Sequence, residues 1–247
     1  MMSPFSSRWQ HLNEDQRQTV RRLIPPHLLQ LTGKAVVLLS GGVDSAVCLY
    51  ALQALGVEIE LALNMNYGQQ AWVKEHQAVQ ALCESASVPL ETIELPWLAT
   101  LLPKGMQATA TTQQQQSLAN VWVPNRNGVL LNMAASYAEA RGAKYVSFGA
   151  NADEAHAFSD NSEQYWQWVN STLRLSTQTG VQILVPTGPL SKTAIVELGV
   201  ALGVPFEHIW SCYGHGELHC GQCTSCQHLK RGLTASRVAS QQIRFAR

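Results

Sequence analysis

From residue 35 onward, short apolar runs alternate with longer stretches in which apolar side chains recur at helical spacing. The runs at 35–39, 59–64, 90–94, 145–148 and 181–185 predict strands, the first of them a continuous Ala-Val-Val-Leu-Leu segment suited to burial on both faces. Helices are predicted at 45–55, 70–87, 127–141, 162–178 and 191–202, several closed by a glycine such as Gly56, Gly142 or Gly203. Strands alternating with helices specify an α/β protein with a parallel sheet covered by helices on both faces, and ligands in such sheets sit at the carboxyl ends of the strands. Before this region, 14–23 has the pattern of an amphipathic helix stopped by Pro25-Pro26, and Leu28, Leu29 and Leu31 are placed to dock that arm on the main body. The polar stretch 103–119, with Thr111-Thr112 and the run Gln113 to Gln116, reads as a mobile loop. Three units follow: a helical arm (1–33), an α/β domain (34–205) and a C-terminal segment (206–247).

Composition narrows the classes. The chain has 247 residues and balances 17 basic against 17 acidic side chains, so nothing marks it as a polyanion binder and no nucleic-acid partner is expected. It lacks an apolar run of the length that spans a bilayer, and no apolar segment follows the early arginines; no membrane association is expected, and the expected compartment is the cytoplasm. Of the six cysteines, Cys48 and Cys83 stand alone in apolar helical stretches and read as buried small side chains. Cys212, Cys220, Cys223 and Cys226 have the spacing C-x7-C-x2-C-x2-C, which in a cytosolic chain speaks for a metal rather than disulfides. Four thiolates suit a closed, tetrahedral, structural Zn²⁺ site; an iron–sulfur cluster is the rival, and His215 and His219 are spare ligands that four sulfurs leave unneeded.

The first strand runs directly into Ser40-Gly41-Gly42-Val43-Asp44-Ser45 and then a helix. Unpaired N–H groups at a helix start attract phosphate, glycines let the backbone approach the anion, and Ser40 and Ser45 add hydroxyl donors. Asp44 would repel a polyphosphate unless a cation stood between them, which makes it a candidate Mg²⁺ partner. The loop departs from the Walker pattern. It resembles the signature of the N-type ATP pyrophosphatases, and that resemblance implies a Rossmann-like adenine nucleotide α-hydrolase fold and cleavage of ATP to AMP and pyrophosphate.

Loop and cysteines together resemble the QueC family of 7-cyano-7-deazaguanine synthases, as do Asn66-Tyr67-Gly68-Gln69, Pro124-Asn125-Arg126-Asn127, Pro189-Leu190-Ser191-Lys192, Trp210-Ser211-Cys212-Tyr213 and Cys223-Thr224-Ser225-Cys226. The resemblance covers most of 35–233 and implies an ATP-dependent ligase. Its substrate, 7-carboxy-7-deazaguanine, is adenylated, captured by ammonia as an amide, and activated again to leave a nitrile. On this reading residues 40–45 hold ATP, Asp44, Lys192 and Arg126 serve the phosphates, and Tyr67, Gln69, Asn151, Phe158 and Asp160 bind substrate. A homodimer is expected. The family reads G-x-N-x-x-D-Y-S-G-Y-P-D-C-R-P-E-F after the fourth strand. Here Gly149, Asn151 and Asp160 match, while Ala155, His156, Asn161 and Ser162 depart. Val43 replaces the usual glutamine of the loop, and Gln70-Ala71 replaces an Arg-His pair. The drift sits where the base or amine would lie. The alternatives are therefore a relative that stops at the amide or joins the deazaguanine to the N-terminus or a lysine of a partner protein in antiphage defence, and a catalytically silent nucleotide- and zinc-binding module.

Overall fold

The computed structural model describes residues 6–107, 109–111 and 118–246. Five parallel strands, β1 (Lys34–Leu38), β2 (Glu58–Asn66), β3 (Leu90–Glu94), β4 (Tyr145–Ser147) and β5 (Gln182–Leu184), lie in the order β3-β2-β1-β4-β5. The chain builds outward from β1 to β3, then crosses back to β4. The switch point is therefore between β1 and β4, where a doubly wound sheet opens its ligand crevice. The helices are α1 (Ser6–His11), α2 (Glu14–Leu23), α3 (Val43–Ala54), α4 (Trp72–Ala86), α5 (Arg126–Ala140), α6 (Ala152–Ala155), α7 (Glu163–Ser176), α8 (Lys192–Ala201), α9 (Thr224–Leu233) and α10 (Arg237–Gln242). All five predicted strands and the predicted helices from 14 onward are present; α1, the short α6, and α9 and α10 add to them.

Strand periodicity divides the core in two. Ala35, Val37 and Leu39 point into a core with α2, α3 and α8, while Val36 points into one with α5 and α7. Between Ala35 and Val36 the register against β2 slips by one residue, so Ile59 and Leu61 face opposite cores although they are two apart. The extra residue, Glu60, turns its carboxylate to Lys34 Nζ at 2.8 Å.

The N-terminal segment is not a loose arm. Leu12, Val20, Ile24 and Leu28 are buried in the same core as α3 and α8, with Leu29 and Leu31 packed at its edge. α2 begins on a reciprocal cap between Asn13 and Gln16, at 2.9 and 2.8 Å. From the other end, Leu229, Leu233, Ala239 and Ile243 enter that core too. Of the polar stretch, Lys104–Met106 forms a 3-10 turn with Met106 buried, whereas Thr112 and Gln113 to Gln116 lie outside the described residues. No described helix is long and apolar enough to cross a membrane.

Candidate active site

The loop 40–45 leaves β1 at the switch point. Gly41 has φ +80, a conformation costly for residues with a Cβ, and a Cβ there would lie 2.9 Å from both Ala78 Cβ and the Glu75 carbonyl. Gly42 caps α3 without a side-chain bond, unlike Ser162 and Ser191, which cap α7 and α8 through their hydroxyls. Ser45 Oγ ties the loop to itself: it donates to the Gly42 carbonyl at 3.0 Å, accepts from the Ser40 N–H at 3.2 Å and lies 3.1 Å from Ser40 Oγ.

Gly149, just beyond β4, packs so closely on the start of α3 that an added Cβ would overlap the Ser45 nitrogen and Cα. Gly149→Ala is expected to push α3 off its seat, costing about 1–3 kcal/mol of stability, as overpacking does. Thermal unfolding and nucleotide affinity, measured side by side, check it: both should fall.

Asp44, in the first turn of α3, is met from two sides. Lys192 Nζ, at the first turn of α8, reaches its two oxygens at 2.8 and 2.7 Å, and Asn151 Nδ2 donates to Oδ2 at 2.8 Å. Asn151 also caps α6 by accepting from the Glu154 N–H at 2.9 Å. Glu154 stands 3.3 Å from Lys192 Nζ, with His228 Nδ1 at 3.7 Å on its far side. Burial works against the Lys192 charge, but the two carboxylates outweigh it and its pKa is pushed up to about 12. Burial also raises the Asp44 carboxyl, with Lys192 pulling the other way. For Glu154, burial is overcome by Lys192 and His228, which hold the carboxyl well below its ordinary value. The cation beside Asp44 is thus Lys192, and two carboxylates sharing one ammonium leave net negative charge at the mouth of the loop.

Asp44, Glu154 and Lys192 line one cavity of about 240 Å³. Of the residues expected from sequence, Ser40, Gly42, Val43, Asp44, Ser45, Tyr67, Gln69, Arg126 and Lys192 are in its wall. Gly41 and Asn151 stand behind it and shape the loop and Asp44. Phe158 and Asp160 do not reach the wall: Phe158 stacks on Trp122, rings 5.9 Å apart and nearly parallel, and Asp160 sits within the field of Arg126. Gln69 is committed to the protein, its Oε1 accepting from the Tyr67 N–H at 3.0 Å and its Nε2 donating to the Met65 carbonyl at 3.1 Å and to Glu75 Oε2 at 2.9 Å. Arg126 directs Nε and Nη2 at Asn127 Oδ1, 3.2 and 3.1 Å away, and lies over the Tyr67 ring. Glu75, Glu154, Ser211 and Tyr213 also line the cavity and were not expected. Glu154 falls in the drifted stretch, and the serine and tyrosine flank Cys212, where attention goes to the thiols.

The four cysteine sulfurs all lie within 4.8 Å of one another, and Cys220 and Cys226 are 3.8 Å apart. A tetrahedral Zn²⁺ with bonds near 2.3 Å needs sulfurs about 3.8 Å apart, so the donor set fits a metal closely. Backbone N–H groups of Gly214, Cys220, Gln222, Cys223 and Cys226 point at the sulfurs at 3.3–3.5 Å, as they do around thiolates. His219 is spoken for: its Nε2 accepts from the Ser211 N–H at 3.2 Å, and its ring lies against Trp210 and Phe245. The segment is anchored on the nucleotide loop, since Trp210 N–H donates to the Gly41 carbonyl at 2.8 Å and Val43 N–H to Ser211 Oγ at 3.4 Å.

Comparison with known proteins agrees with this picture. The family model described as "Queuosine biosynthesis protein QueC" matches residues 34–237. A 7-cyano-7-deazaguanine synthase from Carboxydothermus hydrogenoformans is 43% identical over 209 residues, 80% of this chain and 97% of that protein. One from Bdellovibrio bacteriovorus is 42% identical over 218 residues, 83% of this chain and 94% of the other. Among solved structures, the U34-tRNA thiolase NcsA from Methanococcus maripaludis, with its [4Fe-4S] cluster, superposes with a TM-score of 0.51 at 15% identity. That likeness covers 77% of this chain and 63% of the thiolase, and shows the fold alone. The family match over residues 34–237 and these relatives place the chain, with its parallel sheet, its 40–45 loop at the switch point and its four-cysteine cluster, in the QueC family.

Proposed function

We propose that this enzyme makes 7-cyano-7-deazaguanine from 7-carboxy-7-deazaguanine, ammonia and ATP. The observation that carries the reading is the convergence of the 40–45 loop, Lys192 and Arg126 on one cavity in a chain whose relatives are named for that product. A free carboxylate is a poor electrophile because oxide leaves badly. Adenylation replaces oxide by AMP: a carboxylate oxygen attacks the α-phosphorus and pyrophosphate departs. Ammonia then attacks the acyl carbon, and AMP leaves with the electron pair of the broken C–O bond. A second adenylation on the amide oxygen, followed by loss of AMP and the remaining N–H protons, leaves the nitrile. The overall class is a C–N-forming ligase.

In this reading the N–H groups of the loop and of the start of α3 receive the polyphosphate, the Ser40 and Ser45 hydroxyls brace the loop, and Lys192 and Arg126 supply fixed positive charge where negative charge builds up. Asp44 and Glu154 would offer carboxylate oxygens to a Mg²⁺ accompanying ATP. Bound there, Mg²⁺ supplies charge neutralisation. Cys212, Cys220, Cys223 and Cys226 would hold a structural Zn²⁺, their sulfurs standing within 4.8 Å of one another. Tyr67 offers a ring face to the heterocycle. Asn151 and Asp160 act from outside the cavity wall, the first by bonding Asp44 and the second through its charge beside Arg126, while Phe158 packs on Trp122.

Incubation with ATP, Mg²⁺, 7-carboxy-7-deazaguanine and ¹⁵N-ammonia, followed by mass spectrometry, tests the reading. The expected product is the ¹⁵N nitrile, formed with more than one AMP per product. Amide alone, or a deazaguanine adduct on a protein amine, would move the chain to the conjugating branch, and no turnover of the deazaguanine would overturn the proposal.

A further inference from the structure

Capture of an acyl adenylate by ammonia sheds a proton, and something in the cavity must take it. The titratable groups in the wall are Asp44 from α3, Tyr67 after β2, Glu75 from α4, Arg126 from α5, Glu154 from α6, Lys192 from α8 and Tyr213 from the cysteine segment. Arg126 and Lys192 are cations. Asp44 and Glu154 are bound to Lys192. Burial raises both tyrosine phenols above their ordinary value, so they hold their protons at neutral pH. Glu75 is left. It is the one carboxylate in the wall that no basic side chain among the described residues meets at ion-pair distance.

Its position is fixed. Glu75 Oε2 accepts from Gln69 Nε2 at 2.9 Å, and Gln69 cannot flip its amide, because its oxygen already accepts from the Tyr67 N–H and its nitrogen already donates to the Met65 carbonyl. The Glu75 carbonyl and Cα pack against Gly41, so the side chain starts from the wall of the phosphate loop itself. A half-buried carboxylate held against the protein without a counter-ion carries a desolvation cost, and such groups concentrate at functional sites.

We propose that Glu75 accepts the proton from the nitrogen that captures the adenylated carboxyl carbon. The step balances: the C–N bond forms, the C–O bond to AMP breaks, AMP leaves with the electron pair, and one of the three protons on the attacking nitrogen passes to the Glu75 carboxylate. The inference rests on the proposed function and adds the group that serves the nitrogen. Burial pushes the Glu75 carboxyl up to about 7, with Gln69 and Arg126 pulling the other way. A base of that strength is half available at neutral pH and regenerates readily, as acid–base catalysis favours. The sign follows: the carboxylate is the working form, so capture rises as pH climbs through about 7.

The test separates activation from capture in the full-length protein. Glu75→Gln keeps shape and the contact with Gln69 but cannot take a proton. Carboxylate-dependent exchange of pyrophosphate into ATP reads adenylation, and amide formation at a fixed concentration of free ammonia reads capture. For E75Q, capture is expected to fall on the order of 10²-fold, to lose the inflection near pH 7, and to fall far more than exchange does. Glu75→Asp is expected to keep the inflection with a smaller loss. Hydroxylamine, a nucleophile that needs less help from a base, is expected to restore much of the E75Q capture rate. Unchanged capture in E75Q, or equal loss of exchange and capture without rescue by hydroxylamine, would overturn the proposal. If the wild-type protein shows no exchange with 7-carboxy-7-deazaguanine, it is the functional reading that fails, and the role of Glu75 in it falls too.

Discussion

Lys192→Met is expected to be the most damaging single substitution in the cavity, lowering carboxylate-dependent pyrophosphate exchange by roughly 10³-fold, the scale seen when a fixed charge-stabilising group is removed. The side chain is 8% exposed, and its ammonium is shared by Asp44 at 2.7–2.8 Å and Glu154 at 3.3 Å. Methionine preserves length and apolar stem while deleting the charge. Two carboxylates would then face each other with no cation between them, and stability should fall by about 3–5 kcal/mol, as when one partner of a buried pair is lost. Lys192→Arg should not rescue, since a planar guanidinium cannot occupy the point between the two acids. Denaturant unfolding and exchange, measured on K192M, D44N and the double variant, check the argument. The double variant should regain part of the lost stability because it also removes one orphaned acid, but none of the lost exchange. Recovery of exchange would show that Lys192 does no more than neutralise Asp44.

That pair illustrates what the sequence could and could not disclose. Asp44 and Lys192 are 148 positions apart. Each was picked out by its local motif, the loop at the end of β1 and the Pro189-Leu190-Ser191-Lys192 turn, and both motifs assign them to phosphate. That they bind one another is a product of topology, because the crossover to β4 and β5 brings the start of α8 beside the start of α3. The same holds for Glu75. Its position in the first turn of α4 carries no motif, and it becomes a candidate only once the helix lays it against Gly41 and the fold leaves it without a counter-charge. Gly149 and Asn151, two of the three matching residues of an otherwise drifted stretch, touch α3, one through backbone contact and the other through Asp44. Strands and helices were legible because their apolar positions follow periods of 2 and 3.6. The slip at Glu60 and the helix α9 were not: the first changes no residue type, and the second is a short polar helix whose composition is dominated by metal spacing.

Cys223→Ser is expected to disable the enzyme without touching any group in its chemistry. With three sulfurs left, metal affinity should drop until the purified variant carries well under one Zn²⁺ per chain, and because a structural site's binding energy is folding energy, the segment around it should open. The damage should spread along identifiable contacts. Trp210 holds the Gly41 carbonyl and Ser211 receives the Val43 N–H, so the nucleotide loop loses its outer support. Tyr213 and Ser225 leave the cavity wall. α9 loosens from α8, where Gly232 now lies so close to the Lys192 stem that a Cβ would come within 2.8 Å of Lys192 Cγ. Hydrogen exchange should therefore quicken not only across the cysteine segment but also at the starts of α3 and α8, and pyrophosphate exchange should fall by about 10²-fold, the scale expected when catalytic groups are misplaced by an ångström. Ser211→Ala, which removes one loop contact and leaves the metal in place, should cost only severalfold. Metal analysis, hydrogen exchange and activity of the two variants, together with chelator-treated wild type, distinguish the cases. A metal-free C223S protein with undiminished exchange would mean that the cysteine segment and the phosphate loop are neighbours without being coupled. The direct bonds between Trp210 and Ser211 and the two ends of the glycine turn argue that they are coupled, with the cysteine segment acting as the outer wall against which the loop is held in shape.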